Sequence, residues 1–369
     1  MDARDPFDLE ETPRLPADPQ RYGVGIVGAG GIVESAHLPA YRKAGFRVEA
    51  IYDLAPEKAR RLADQFAIPR VCASLDELLD RPEVAIADIA VPARAQPEVA
   101  LRAIAAGKHL LCQKPFAETY PEALRIVNAA DAAGLRVAVN QNMRFSPLIS
   151  AARTLVERGW LGQLVSAEIQ VNVKTPWDLW GWILSLDRLE IMYHSIHYLD
   201  ALRTLLGDPD SVYCRGQRYP GQKARGETRT TTLLEYSDER WGLVRAEHNN
   251  PNDERDWSCS FRLEGTRGTA KGTFGALFDY PVGRPDTISY RSPTLTGDAW
   301  VEPSLKGRWF PDGFVGTMAG LMRALDEGRE PPHDGRDNLR TLALVFAAYR
   351  SMAEHRPVRL DEIAASLSA

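Results

Sequence analysis

Residues 21–145 alternate short apolar runs with segments of helical spacing, and no other feature constrains the fold as strongly. The apolar runs are YGVGIVG, VEAIYD, IADIAVP, HLLCQ and RVAVN, and the helical segments include PEKARRLADQF, PEVALRAIAAG and YPEALRIVNAADAAG. Strands that alternate with helices favour a parallel sheet covered on both faces. The pattern therefore predicts a doubly wound parallel α/β domain that ends near residue 145.

The first strand runs directly into GAGGIV, residues 28–33. Gly28 permits a tight turn, and Gly30 lets the backbone approach a pyrophosphate at the start of the following helix. Val33 occupies the place of the third glycine of the usual fingerprint. The next strand ends in Asp53, about twenty residues further on, which is the spacing of a dinucleotide site. The sequence predicts an NAD-binding Rossmann domain over residues 21–145.

Asp53 also bears on the choice of cofactor. A carboxylate at the end of the second strand accepts hydrogen bonds from a ribose 2′-hydroxyl and repels a 2′-phosphate, and Leu54 supplies no positive charge. NAD is therefore predicted over NADP, and the alternative is an Asp that caps the helix beginning near Pro56. The other predicted cofactor contacts are Gly31, Ile32, Val91, Pro92, Gln113 and Lys114.

The second part of the chain, residues 146–369, has a different pattern. QLVSAEIQVNV, SVYCRGQRY, TTTLLEYS, WGLVRAEHN, CSFRLEG and GTAKGTF are strand-like runs joined by turn residues. They predict a largely antiparallel open sheet, with one long helix from about Asp187 to Leu206. Residues 1–20 are rich in Asp, Glu and Pro and contain no apolar run that could serve as a signal peptide. They are expected to form a flexible arm.

Composition excludes several classes of partner. The formal net charge of -5 gives no reason to expect nucleic acid or an anionic membrane, and no apolar run reaches the ~20 residues of a membrane-spanning helix. The four cysteines are widely separated, without the spacing of a disulfide framework or a zinc site. A cytoplasmic location is the simplest expectation.

Several motifs, in order and spacing, resemble the glucose-fructose oxidoreductase and inositol dehydrogenase (Gfo/Idh/MocA) family. They are VGIVGAGGIVESAH (24–37), AGKHLLCQKPFAET (106–119), NMRFSP (142–147), IHYLDALRTLLGDP (196–209) and the C-terminal AAYRSMAEHRPVRL (347–360). The resemblance covers nearly the whole chain from residue 21. It implies oxidation or reduction of a secondary alcohol on a sugar, sugar acid or cyclitol with NAD or NADP. It also implies homodimers or homotetramers formed through the open sheet.

The resemblance gives Lys114 a catalytic role, because the lysine of the family's Glu-Lys-Pro motif contacts the reacting hydroxyl beside the nicotinamide. Here the motif reads Gln113-Lys114-Pro115, and Pro115 is expected to hold the lysine in place, through a cis peptide. Glutamine in place of the family's glutamate removes a negative charge that would favour the charged ammonium form of Lys114. We therefore hypothesise a lower pKa for Lys114 than in relatives with glutamate, so that Gln113→Glu raises the alkaline limb of the pH-rate profile.

His197 matches the histidine of the family's Asp-x-x-x-His motif, which implies that it exchanges a proton with the substrate hydroxyl. Tyr193 replaces the aspartate and is expected to donate a hydrogen bond to substrate, and His194 is a second candidate for the proton. Two alternatives stay open. His197 can be a core histidine, and Glu190, His194 and His197, spaced as one helical face, can hold a divalent metal, although no metal is predicted.

Aromatic and polar residues complete the predicted substrate site. Trp177 and Trp180, in a segment that also holds Trp182, can stack on sugar rings or simply anchor a long loop. Asn142 and Arg144 match the family's pattern after the last strand of the first domain.

Two other functions remain open at this point. The first is a redox-neutral isomerase, epimerase or eliminase that retains NAD, and the second is a non-catalytic dinucleotide sensor on the same fold.

Overall fold

The computed structural model describes residues 9–10, 12–280 and 283–363, and two sheets organise this part of the chain. Contacts between Cα atoms divide it into two units. The first unit contains Pro13–Phe145 and Phe310–Leu339. The second contains Ser146–Trp309 and the chain from Arg340, together with the described residues before Pro13.

The first unit is built on a six-stranded parallel sheet. Its elements are β1 (Gly23–Val27), α1 (Leu38–Ala44), β2 (Val48–Tyr52), α2 (Pro56–Phe66), β3 (Arg70–Val71), α3 (Leu75–Leu79), β4 (Val84–Ile89), α4 (Gln96–Ala105), β5 (His109–Cys112), α5 (Tyr120–Ala132) and β6 (Val137–Val139). The strand order is β3-β2-β1-β4-β5-β6, and every neighbouring pair is parallel. The predicted doubly wound sheet is confirmed, and the two-residue strand β3 is the one that the pattern did not predict.

The second unit is built on an eight-stranded, mostly antiparallel sheet. Its elements are α6 (Pro147–Glu157), β7 (Leu164–Asn172), α7 (Ile196–Leu206), β8 (Ser211–Gln217), β9 (Arg229–Glu235), β10 (Trp241–Glu247), β11 (Ser258–Gly265), β12 (Gly268–Thr273), β13 (Thr287–Arg291) and α8 (Pro293–Thr296). After α9 (Trp309–Glu327), it is completed by β14 (Val358–Arg359) and by α10 (Gly335–Glu354) from Arg340 onward, since the first residues of α10 belong to the first unit. The strand order is β13-β12-β11-β7-β10-β9-β8-β14, and only β7 and β10 pair in parallel among these described strands. The predicted open sheet is confirmed.

The first unit draws part of its core from α9, far along the chain. Val24 and Ile26 of β1 are fully buried, and Met318 and Leu321 of α9 belong to the same apolar cluster. Burial of large aliphatic side chains is the main favourable contribution to folding. The sequence pattern placed residues 146–369 together in the second part of the chain, whereas Phe310–Leu339 packs with the first unit. Contacts between segments so far apart leave no local pattern in the sequence.

The helix predicted from about Asp187 begins later and is irregular. A π-helical segment, Ile191–Ser195, precedes α7. The carboxylate of buried Glu227 accepts the backbone N–H groups of Leu189 and Ile191 at 3.2–3.3 Å, which satisfies donors at the start of the helix. The predicted start was therefore wrong, because a side chain from the distant loop before β9 fixes the helix terminus.

The predicted flexible arm lies largely outside the described residues, which exclude 1–8 and 11. Leu9 is buried, and the Glu10 backbone N–H donates to Thr154 Oγ1 at 3.3 Å. The four cysteines all lie in the described part, where each is buried and free of disulfides. No helix that the structure describes combines the length and apolar character needed to cross a bilayer.

Candidate active site

The turn after β1 accepts no side chain at Gly28. This residue has φ of +107°, in the region that favours glycine, and a Cβ there would lie 2.4 Å from the carbonyl oxygen of Ala90. The same Cβ would lie 3.5 Å from Val91 Cγ1. The predicted cofactor residues Gly28 and Val91 are therefore neighbours at the carboxyl ends of β1 and β4, where open α/β sheets bind ligands.

Gly30 and Gly31 leave open space above the backbone. A Cβ at either position would meet no atom within 4 Å, and both residues are exposed. Ile32 follows them and leads into a π-helical segment, Val33–His37. The first N–H groups of a helical segment have no partner within it and attract anions. Exposed backbone, open space and N–H donors together fit the pyrophosphate of a dinucleotide.

Asp53 stands at the end of β2, as predicted, and both of its carboxylate oxygens bind backbone. Oδ2 accepts the Ala29 N–H at 2.6 Å and Oδ1 accepts the Ala55 N–H at 2.8 Å. The carboxylate thus ties the glycine turn to Ala55, the residue before α2. The capping alternative is not realised, because Ala55 is the N-cap residue of α2 and no side chain caps this helix. Each carboxylate oxygen can accept a second hydrogen bond, so ribose hydroxyls remain compatible with this arrangement. Leu54 beside it is 90% exposed.

Lys114 follows β5 and has a perturbed pKa. The Lys114–Pro115 peptide is cis, as expected from the sequence, and the lysine side chain is half-buried. Burial lowers the pKa of the Lys114 amine from 10.5 to about 8. The cause is desolvation. The hypothesis that Gln113 lowers the Lys114 pKa relative to a glutamate stays a prediction. An amine with this pKa can donate and accept a proton near neutral pH.

A buried glutamine that the sequence reading missed braces the lysine segment. Gln96 Nε2 donates to the carbonyl oxygens of Gln113 at 2.7 Å, Pro115 at 3.1 Å and Phe116 at 2.8 Å. Its Oε1 accepts the Gln113 backbone N–H at 3.0 Å. These contacts fix the backbone on both sides of Lys114. The neighbouring predicted contact, Pro92, is exposed and accepts the Gln96 backbone N–H at 3.2 Å.

A buried polar network adjoins the same segment. Asp88 Oδ2 lies 2.7 Å from His37 Nδ1 and accepts the Tyr41 hydroxyl at 2.8 Å. On the other side of the ring, His37 Nε2 lies 3.1 Å from Gln113 Nε2 and 3.2 Å from Asn140 Nδ2. His37, Asp88 and Asn140 are fully buried. One sequence signal was available, because Asp88 is a charged residue in the middle of an otherwise apolar strand.

Asn142 and Arg144, predicted to bind substrate, are buried and bonded within the first unit. Asn142 Nδ2 donates to the Asn140 carbonyl at 3.2 Å. Arg144 donates to the Pro332 carbonyl at 2.8 Å and pairs with the Asp337 carboxylate. These contacts support a structural role, and contact with substrate stays a prediction.

His197 and Tyr193 lie in the second unit, on α7 and the π-helical segment before it. The His197 ring packs edge-on against Trp309, with centroids 5.5 Å apart, and is 8% exposed. Tyr193 is half-buried, and its ring meets Trp182 at 5.7 Å. π-Helical turns are frequent at functional sites. The catalytic roles of His197 and Tyr193 stay predictions, since these ring contacts are packing contacts.

His194 belongs to an aromatic cluster with Trp177 and His248. Its ring lies 5.0 Å from Trp177 and 4.4 Å from His248 between centroids. Trp177 is buried, and its indole N–H donates to Asn249 Oδ1 at 3.0 Å, which supports the loop-anchoring alternative for this tryptophan. His248, which the sequence reading missed, lies 2.7 Å from Thr175 Oγ1. The side chain of Trp180 lies outside the described part.

The alternative metal site at Glu190, His194 and His197 is not formed. Glu190 is fully buried and accepts hydrogen bonds from Ser195 and Thr230. The π-helical segment has more residues per turn than an α-helix, so the assumed α-helical face does not exist. Across residues 9–10, 12–280 and 283–363, His, Cys, Asp and Glu side chains form no group of three that could hold a metal ion.

A parallel doubly wound sheet and a glycine turn that fits a pyrophosphate define the first unit as a dinucleotide-binding Rossmann domain. The family model described as "oxidoreductase family, NAD-binding Rossmann fold" matches residues 22–141, and the Gfo/Idh/MocA C-terminal domain matches residues 149–271. The chain belongs to the Gfo/Idh/MocA family, as its motifs indicated.

Three known proteins illustrate the relationship. D-apiose dehydrogenase of Paraburkholderia graminis is 27% identical over 95% of this chain and 92% of its own. 1,5-anhydro-D-fructose reductase of Ensifer adhaerens is 24% identical over 91% of this chain and 98% of its own. The crystal structure of an oxidoreductase from Agrobacterium radiobacter, in complex with NAD⁺, L-tartaric acid and magnesium, superposes with a TM-score of 0.82 at 23% identity, covering 93% of this chain and 100% of that one.

Proposed function

We propose that this protein is an NAD-dependent dehydrogenase that acts on a secondary alcohol or ketone of a sugar, sugar acid or cyclitol. The observation that carries the proposal is Lys114, whose half-buried amine has a pKa of about 8 at the carboxyl edge of the parallel sheet. The names of the two relatives, a sugar dehydrogenase and an anhydrosugar reductase, support the substrate class.

The cofactor site proposed here uses backbone rather than charged side chains. Gly28 forms the tight turn, and its own N–H donates to the Tyr52 carbonyl at 2.7 Å. Gly30, Gly31 and Ile32 hold the pyrophosphate through N–H groups and open space, and Asp53 accepts the ribose hydroxyls. The carboxylate repels a 2′-phosphate, which supports NAD over NADP. When bound, the nicotinamide supplies the carbon that accepts or gives the hydride.

Two residues of this chain handle the proton in the proposed reaction. The neutral Lys114 amine accepts the proton of the alcohol during oxidation and returns it during reduction, because its pKa of about 8 lies close to working pH. His197 is proposed to share this proton, and Tyr193 to orient the substrate by a hydrogen bond. Both assignments rest on the positions that these residues occupy in the family's motif.

The first experiment is mass spectrometry of the small molecules released on denaturation, combined with NAD and NADP titrations of the purified protein. The proposal predicts tighter binding of NAD, and NADH formation with at least one aldose, uronic acid or cyclitol in a screen. Lys114→Met should lower kcat by 100-fold or more (about 10²–10⁴ for a general acid-base group) while NAD still binds. The exposed Lys58→Met is the matched control.

A redox-neutral reaction is the second candidate, since Gln113 and Tyr193 depart from the family's usual motif. NAD that remains bound through purification, with turnover but no net change in NADH absorbance, would replace the dehydrogenase proposal. A screen without any turnover in either assay would contradict both.

The outer face of the eight-stranded sheet is proposed as the surface through which copies of this chain associate. A groove of about 860 Å³ on this face is lined by acidic and basic side chains, among them Glu168, Arg262, Lys271 and Glu302. Light scattering during size-exclusion chromatography should show a dimer or tetramer. A monomer at micromolar concentration would contradict this proposal.

A further inference from the structure

The hydrogen bonds around Gln113 determine which way its amide points. The Lys114 backbone N–H donates to Gln113 Oε1 at 2.8 Å. The other end of the amide, the NH₂ group, therefore faces His37 Nε2 at 3.1 Å. An NH₂ group can only donate, so His37 Nε2 must be an unprotonated acceptor.

The tautomer of His37 follows from this. A neutral imidazole with an acceptor at Nε2 carries its proton at Nδ1, and Nδ1 lies 2.7 Å from the Asp88 carboxylate. Asn140 Nδ2, at 3.2 Å, is a second donor toward Nε2. Burial raises the pKa of the Tyr41 phenol and of the Cys112 thiol. Asp88 Oδ2, at 2.7 Å, accepts from Nδ1 and so stabilises the Nδ1–H tautomer.

We infer that His37 is a positioning residue for Lys114 and acts through Gln113. Asp88 fixes the imidazole, the imidazole fixes the Gln113 amide, and the amide oxygen holds the backbone N–H of Lys114. All of these side chains except that of Lys114 are at most 9% exposed, so water does not replace a lost contact without a cost. The inference rests on the proposed function only in giving Lys114 a catalytic role.

The arrangement also determines how the site responds to a carboxylate at position 113. In Gln113→Glu, one carboxylate oxygen keeps the Lys114 N–H and the other faces His37 Nε2. His37 then lies between two buried carboxylates, Asp88 and Glu, which draws a proton onto Nε2. The imidazolium cancels the added negative charge, so the Lys114 pKa should rise only slightly. This expectation replaces the rise in the alkaline limb that was hypothesised from the sequence alone.

The decisive measurement does not depend on substrate or cofactor. Competitive acetic anhydride labelling, read by peptide mass spectrometry over a pH series, gives the titration midpoint of the Lys114 amine. We expect about 8 in the wild type. In His37→Phe, the Gln113 amide loses its acceptor and water reaches the lysine, so the midpoint should rise by about one pH unit.

Two further variants separate positioning from general destabilisation. His37→Gln keeps an oxygen acceptor near the position of Nε2 and should restore a midpoint close to that of the wild type. His109→Asn removes a histidine at the other end of β5, where Nδ1 accepts the Arg136 N–H at 3.0 Å, and should leave the midpoint unchanged. A wild-type midpoint in His37→Phe, or an equal shift in His109→Asn, overturns the inference.

Long-range ¹H–¹⁵N spectra of the seven histidines provide a test that needs no His37 variant. The wild type should show His37 as the neutral Nδ1–H tautomer, and Gln113→Glu should show it doubly protonated with a small shift of the Lys114 midpoint. A neutral His37 in Gln113→Glu, together with a raised Lys114 midpoint, overturns the inference. Absence of sugar oxidation would contradict the proposed function and leave these readouts interpretable.

Discussion

Lys114 is expected to reduce the stability of the fold at neutral pH. Its pKa falls from 10.5 to about 8 because the half-buried site disfavours the ammonium. One pKa unit corresponds to about 1.4 kcal/mol, so the full cost of the charged form is about 3–4 kcal/mol, and solvent screening of the partly exposed amine reduces it to about 2–3 kcal/mol. Lys114→Met keeps the length of the side chain and removes the charge.

The gain in stability should depend on pH. Below the folded pKa of about 8, the lysine is charged in the folded and the unfolded chain, and the folded chain bears the whole cost. Between this value and 10.5, the folded chain releases the proton while the unfolded chain retains it. The wild type therefore becomes more stable with rising pH, and the advantage of the variant should shrink from about 2–3 kcal/mol near pH 7 to about 1 kcal/mol near pH 9.5.

Urea unfolding at both pH values, followed for the unit that contains Lys114, measures this difference. The exposed Lys58→Met is the control and should change the unfolding free energy by less than about 0.5 kcal/mol. A variant that is destabilised at neutral pH, or stabilised equally at both pH values, would refute the assignment of the low pKa to burial. Loss of activity with a gain in stability would mark Lys114 as a functional residue retained at a cost to the fold.

Three other substitutions test separate parts of the structure. Gly28→Ala should destabilise the first unit by about 2–4 kcal/mol in thermal unfolding, because its Cβ would lie 2.4 Å from the Ala90 carbonyl oxygen at a positive φ; wild-type stability would contradict the turn. Asp53→Asn should lower the ratio of NAD to NADP affinity about tenfold in fluorescence titrations, a change of about 1.4 kcal/mol, and an unchanged ratio would remove Asp53 from cofactor choice. Trp177→Phe should lower the unfolding free energy of the second unit by about 1 kcal/mol in urea, because it loses the 3.0 Å hydrogen bond to Asn249. If the ring only anchors its loop, the KM of this variant should equal that of the wild type.

Local patterns predicted most of the secondary structure because hydrophobic periodicity and turn residues are properties of short segments. The alternation of strands and helices gave the parallel sheet, and turn-separated strand runs gave the second sheet. The glycine turn, the aspartate after β2 and the lysine-proline pair were also recognisable, since each depends on the backbone of a few adjacent residues. The helix before His197 was misjudged, because Glu227, a distant residue, satisfies the amides at its start.

The sequence by itself therefore determined the two folds, the family and the residues that the family's motifs mark, with Lys114 and Asp53 foremost. Tertiary structure decided what surrounds them. His37, Asp88, Gln113 and Asn140 come from separate elements of the first unit and meet only because the parallel sheet brings the ends of its strands together. The low pKa of Lys114 has the same origin, since burial depends on every segment packed around a residue and leaves no pattern in the chain.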